Sequence, residues 1–179
     1  MRKIVYSLTN SLDNFIARAD GAADWILMGD EIMSEFPKLF ERFDAVLIGR
    51  NTYDKTFTHN PETGQETSGF MGMKTYVFSH TVKASSNAGV EIVSQNAGEF
   101  VRRLKQESGK DIWLMGGGIL AASLLKERLV DEIELAIQPI LLASGVPLFP
   151  DIGMQVELQL LQCKTYKNGI VGLKYQVKN

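Results

Sequence analysis

The apolar positions of this chain follow two rhythms, short unbroken runs and faces spaced at helical intervals. Residues 112–115 (Ile-Trp-Leu-Met) are apolar with no polar alternation, the pattern of a strand covered on both faces, 44–48 (Asp-Ala-Val-Leu-Ile) is a short apolar strand, and 74–79 reads as the next strand. Residues 2–9 and 90–94 are also β-rich, and 131–138 alternates at period two through Ile133, Leu135 and Ile137. After Asp30, a plausible N-cap with Glu31 in the first turn, residues Ile32, Met33, Phe36, Leu39, Phe40 and Phe43 recur at helical spacing. Pro37 lies inside that stripe and predicts a kink or restart near Ser34. A second helix opens at Asn96 or Gly98, with Phe100, Val101 and Leu104 inward and Arg102, Arg103 and Lys105 on a solvated face. A third begins at about Ile119. Residues 156–166 and 170–177 flank Lys167-Asn168-Gly169, a strong hairpin signal. These elements predict one α/β domain over residues 1–179. It has a mostly parallel central sheet, a C-terminal antiparallel hairpin and helices on both faces.

The connections carry their own signals. Residues 10–14 have turn chemistry and 15–17 are apolar again. Residues 18–24 read as a surface loop that runs into the apolar group at 25–28, led by Trp25. Residues 58–73 read as an irregular loop in which His59 has no assigned role, and 139–150 is an apolar excursion punctuated by Pro and Gly.

Composition narrows the function classes. The chain has 179 residues, enough for one domain with a substantial core, and a formal net charge of −2, which gives no pull toward nucleic acid or an anionic membrane. No window approaches the roughly 18 consecutive apolar residues of a membrane span, and the N-terminus has no signal-peptide pattern. Cys163 is the single cysteine, so no intrachain disulfide is possible and a cytoplasmic setting is the simplest expectation.

The stretch at 111–129 concentrates the candidate chemistry. A buried strand ends in Gly116, Gly117 and Gly118, and a helix follows. Glycines let a ligand approach the main chain closely, and a helix start turns free N–H groups and positive dipole toward it, which suits a phosphate. A strand-to-helix connection without a ligand would need only one glycine. Two further strand ends repeat the theme, with Gly49-Arg50-Asn51-Thr52 after Ile48 and Ser79-His80-Thr81 after Phe78. In an open α/β sheet such carboxyl ends share one edge, where ligands bind. The spacing Gly116-x-Gly118-x-x-Ala121 also fits a loose Rossmann fingerprint. It lies late in the chain, however, and the next strand ends at Gln138-Pro139 without the acidic residue that motif needs. Three carboxylates are candidates for proton transfer: Asp13, which also suits holding its own turn, and Asp30 and Glu31, which also suit capping. His80 has no Cys or acidic neighbour at ligand spacing, so no metal site is expected.

At these residues the chain resembles the dihydrofolate reductase-like family, in particular the reductase domain of bacterial riboflavin-biosynthesis deaminase-reductases and their stand-alone relatives. The matching motifs are Ser11-Leu12-Asp13-x-x-Ile16-Ala17, Ile48-Gly49-Arg50-x-Thr52-Tyr53, Phe78-Ser79-His80 and Met115-Gly116-Gly117-Gly118, followed by 131–150 ending Pro147-Leu148-Phe149-Pro150. The resemblance implies an NADPH-dependent reductase acting on a small heterocyclic or carbonyl or imine substrate. It implies that Gly49, Arg50, Thr52, Ser79 and His80 hold the adenosine and phosphate side of the cofactor. Gly116, Gly117, Gly118, Ile119 and Leu120 would wrap the pyrophosphate. Leu8 and Thr9 would meet the nicotinamide carboxamide, and the loop beyond Ile16 would close over the ring. It further implies a cis peptide at Gly116–Gly117. A homodimer is also implied, with 139–149 and the terminal hairpin as the candidate interface. Where dihydrofolate reductases often carry a basic residue after the third glycine, this chain has Ile119, which leaves recognition of a 2′-phosphate to Arg50. The pterin-binding carboxylate of that family falls early on the first helix, near Asp30 and Glu31, although an ungapped count back from Gly49 lands on Met33. A nucleotide-binding module without turnover is the alternative function.

Overall fold

The computed structural model describes residues 1–55, 69–85 and 87–178. Ten strands alternate with five helices among them. They are β1 (Ile4–Ser11), β2 (Phe15–Ala17), α1 (Asp30–Met33), α2 (Phe36–Glu41), β3 (Phe43–Gly49), α3 (Arg50–Tyr53), β4 (Lys74–Phe78), β5 (Val90–Val93), α4 (Ala97–Gln106), β6 (Asp111–Gly116), α5 (Gly118–Lys126), β7 (Glu132–Gln138), β8 (Val146–Pro147), β9 (Leu158–Thr165) and β10 (Val171–Val177). Eight strands form one sheet in the order β5-β4-β3-β6-β1-β7-β10-β9. The pairs from β5 to β7 are parallel, and β10 is antiparallel to both β7 and β9. The predicted α/β architecture, with a parallel centre and a C-terminal antiparallel hairpin, is the observed one.

Both faces of the sheet are covered, which explains the unbroken apolar runs. In β3, Ala45 and Leu47 join the larger core under α4 and α5, while Val46 and Ile48 join a second core with Trp113 and with Leu39 and Phe40 of α2. The hairpin turns where predicted, since Tyr166 N–H donates to Ile170 O at 2.9 Å and Gly169 takes φ +86°, a conformation that glycine adopts without cost.

The helical stripe after Asp30 breaks where expected, into two short helices at Ser34–Glu35, with Pro37 in the first turn of α2 as its restart. Other sequence expectations shift. Gly29, not Asp30, is the N-cap of α1, and Asp30 is the first helical residue. Phe43, read as the last residue of the stripe, opens β3 instead. The third helix starts one residue earlier than expected, at Gly118. Residues 15–17 were read only as apolar; they pair as β2 with β8 inside the 139–150 excursion. The expectation of an irregular loop at 58–73 lies mostly outside the described residues, as does His59.

Candidate functional site

The sheet opens at its carboxyl edge between β1 and β6. These strands pair only from Ile4↔Ile112 to Tyr6↔Leu114, whereas β1 continues beside β7 as far as Ser11↔Gln138. Beyond Tyr6, the Ser7 carbonyl that faces β6 accepts the indole N–H of Trp113 at 2.7 Å rather than a backbone amide. The chain reverses its direction of travel across the sheet here, because β1 leads to β3 on one side and β6 leads to β7 on the other. This is the switch-point crevice where open α/β sheets take ligands.

One wall of the crevice is main chain. Gly49 caps α3 and Gly117 caps α5, both in extended conformation and neither with a side-chain cap, so the first N–H groups of both helices are left for another acceptor. The turns approach closely: a Cβ on Gly49 would lie 3.7 Å from the Gly117 nitrogen, and one on Gly116 would lie 3.3 Å from the Thr52 hydroxyl. The Gly116–Gly117 peptide is cis, as the resemblance implied. Gly118 is packed still more tightly, since a Cβ there would lie 3.0 Å from Pro147 O and 3.1 Å from Leu148 O. Arg50 is exposed beside this wall and bonds Asp54 and the Thr81 hydroxyl. The buried Ser79 hydroxyl accepts the amides of Thr81 (3.2 Å) and Val82 (3.1 Å), shaping that loop, while His80 is exposed. Ile119 stands 80% exposed at the start of α5, and Leu120 turns into the core. Glycine main chain, a hydroxyl and an arginine fork at two adjoining helix starts are a donor set suited to a pyrophosphate.

The opposite wall is side chain. A cleft of about 390 Å³ lies on the α1–α2 face of the sheet, between those helices and β1, β7, β9 and β10. That is within the roughly 300–1,000 Å³ typical of small-molecule sites. Leu8 and Thr9, beyond the last β1–β6 pair, line it, while Ile26, Leu27, Ile32, Phe36, Leu39 and Trp113 supply apolar surface. The loop at 25–28 is fixed over it, because Leu27 N–H donates to Gln138 Oε1 at 3.0 Å and Trp25 is buried. Ile16 lies partly buried against the larger core rather than in the cleft lining.

Sequence reasoning missed the carboxylate of this cleft. It is Glu35, at the break between α1 and α2. It receives Lys164 Nζ and, at 2.7 Å, the Tyr166 hydroxyl. The Lys164 hydrogen bond is the main force that holds Glu35 below the usual carboxylate range, with Tyr166 adding to it. Burial, followed by its hydrogen bond to Glu35, pushes Tyr166 up to about 12. Asp30 and Glu31 are exposed and outside the lining, and Glu31 accepts the Lys167 amide at 3.4 Å. Asp13 is also outside it. Its carboxylate takes the Ser11 hydroxyl at 2.6 Å and the Ala143 amide at 2.8 Å, and those bonds, Ser11 first, lower its pKa. The signal for Glu35 was Pro37. A proline that restarts the helix turns the residues before it away from the regular stripe.

A second charged group forms the floor. Arg42 bonds Asp111 (2.9 Å), Glu132 (2.7 Å) and Glu134 (2.6 Å), and Lys174 lies 2.9 Å from both glutamates. Burial alone would raise Glu132, but hydrogen bonds from Lys3, Arg42 and Lys174 overrule it and hold the carboxyl at about 2. Among the described residues, no helix is long and apolar enough to cross a membrane.

The fold has counterparts in known proteins. The model of the family described as the RibD C-terminal domain matches residues 2–172. The uncharacterized protein YyaP of Bacillus subtilis is 33% identical over 180 residues, covering 97% of this chain and 94% of YyaP. A crystal structure of a Shewanella sp. PV-4 protein assigned to riboflavin biosynthesis superposes with TM-score 0.83 at 25% identity, covering both chains completely. A Thermotoga maritima diaminohydroxyphosphoribosylaminopyrimidine deaminase/5-amino-6-(5-phosphoribosylamino)uracil reductase shares the fold, with TM-score 0.71 at 15% identity. That match covers 99% of this chain and 57% of that one.

Proposed function

Because this chain belongs to the RibD C-terminal domain family, we propose that it is a cytoplasmic NADPH-dependent reductase of a small heterocycle bearing a C=N or C=O bond. The observation that carries the reading is the parting of β1 and β6, which opens the sheet beside the Gly116 end of β6 and next to the cleft lined by Leu8 and Thr9. When bound, the cofactor supplies hydride from its nicotinamide ring. Gly49, Thr52 and Gly116 to Leu120 would hold its pyrophosphate, Leu120 through its main chain, while Arg50 with Ser79 and His80 would hold the adenosine side, and Leu8 and Thr9 its carboxamide. Ile16 precedes the loop that closes over the ring. The apolar surface of Ile26, Phe36, Leu39 and Trp113 excludes water and aligns the acceptor carbon. Glu35 accepts hydrogen bonds from Lys164 and Tyr166, and the Lys164 bond holds its carboxyl below the usual carboxylate range. A proton must also reach the acceptor to complete the reduction.

A titration followed by intrinsic fluorescence tests this, since Trp113 lines the cleft. Saturable quenching by NADPH, at least tenfold tighter than by NADH, is expected; no binding of either overturns the proposal. One observation favours a second reading, a nucleotide-binding module without turnover: the carboxylates lining the cleft, Glu35 and Glu134, are both in ion pairs. Steady NADPH oxidation with a pteridine, pyrimidine or quinone-like acceptor excludes it.

The proposal includes a homodimer. The edge strand β9 exposes Leu158 (40%), Leu160 (52%) and Leu161 (46%), apolar surface that a second copy would cover. Light scattering that gives a monomer mass at micromolar concentration would exclude the dimer.

A further inference from the structure

The Thermotoga relative is described as acting on a phosphoribosylaminouracil, a substrate with a phosphate. Side chains that take such a group do so best with a cation not already paired to a carboxylate. Lys164 and Lys174 are the only cations among the described residues lining this cleft. Lys164 is bound to Glu35, whose second oxygen is held by Tyr166. Lys174 is bound to Glu132 and Glu134. Arg42, behind the floor, is divided among three carboxylates. Lys38 contributes field at Glu35 but is exposed and outside the lining. Residues 56–68, outside the described set, contain neither Lys nor Arg and so add no such cation wherever they lie.

We infer that this cleft is charge-matched within itself and takes an uncharged, flat heterocyclic substrate without a phosphate group. A phosphate dianion would meet Glu35 and Glu134 as well as the lysines, and would have to break existing ion pairs to gain its own. An uncharged ring meets the aromatic surface of Phe36 and Trp113, with the Ser7 and Thr9 hydroxyls and the Gln138 amide as neutral hydrogen-bonding groups.

The inference rests on the reductase reading, and its test separates the two. NADPH binding is measured first by fluorescence; its absence removes the reductase reading and this inference together. With NADPH bound, kcat/KM is measured for 5-amino-6-(ribosylamino)uracil with and without its 5′-phosphate. The unphosphorylated compound should be preferred at least tenfold. In Glu35→Gln, which releases Lys164, that preference should shrink at least fivefold while NADPH affinity holds. Preference for the phosphorylated compound, reduction of neither, or an unchanged ratio in the variant each overturns the inference and leaves the cofactor reading standing. If Glu35→Gln does not fold, Glu134→Gln, which loosens Lys174, gives the same comparison.

Discussion

On the glycine side of the crevice, a ligand would meet main chain from two short turns, at 49–52 and 116–118, whereas on the α1–α2 side it would meet side chains gathered from as far apart as Ile26 and Lys174. The first wall depends on the absence of atoms: where a Cβ would stand, Thr52, Gly117 and the 147–150 segment already approach. The second depends on the presence of paired charges, each oriented by another. An absence is fixed by composition at one point of the chain. A pairing is fixed only by the fold. The glycine wall should therefore refuse a side chain outright where its packing is tightest, at Gly118, and the side-chain wall should respond to substitutions in graded steps.

The comparison breaks first at Gly117. The nearest heavy atom to a Cβ there is the Thr52 hydroxyl at 4.0 Å, so a side chain can be accommodated sterically. Gly117→Asp places a negative charge at the proposed pyrophosphate and should weaken NADPH binding by ~100-fold, ~2.7 kcal/mol, in a fluorescence titration. A change below threefold would show that the turn does not bind phosphate. Next, Arg50→Ala should cost ~10-fold in NADPH affinity with NADH affinity unchanged, because only the former carries the 2′-phosphate. Equal losses would remove Arg50 from that role. On the other wall, Tyr166→Phe leaves Glu35 one donor short and should lower kcat/KM by ~5-fold, about 1 kcal/mol, at constant NADPH affinity.

The smallest effect concerns the floor. The folded pKa of Glu132 lies below its ordinary value of 4.5, so its contribution to stability is fully present above that value. It is lost as the pH falls toward about 2. Chemical denaturation should therefore show an acid limb in that window, and Glu132→Gln should flatten it. An unchanged limb would assign acid sensitivity to other carboxylates.

The same contrast explains what the sequence reveals. Gly116-Gly117-Gly118 and Gly49-Arg50-x-Thr52 announce themselves because every required residue is local, and the strand runs announce a sheet covered on both faces. Residues 2–9 were also legible as a strand, but its divergence from β6 after Tyr6 was not. That parting depends on how β6 and β7 flank it and on the indole of Trp113 taking the Ser7 carbonyl. Glu35 is hidden by its place at the restart that Pro37 predicts, where nothing local sets it apart from Asp30 and Glu31. Its role depends on Lys164 and Tyr166, beyond any local pattern. The β2–β8 pair was hidden for a related reason, since three residues and two residues carry little periodicity until they meet.

Asp13 shows how such long-range pairing limits exchange between relatives. Its carboxylate receives the amides of Leu142 and Ala143, the latter 130 positions away, and the β2–β8 ribbon joins the same two segments. The segments beside 13 and 142 are thus one part cut in two by the chain, each serving as the template for the other. A chimera that imports only one of them would set an acidic side chain against amides that no longer meet it. Recombination between homologues should succeed only when both segments come from the same parent.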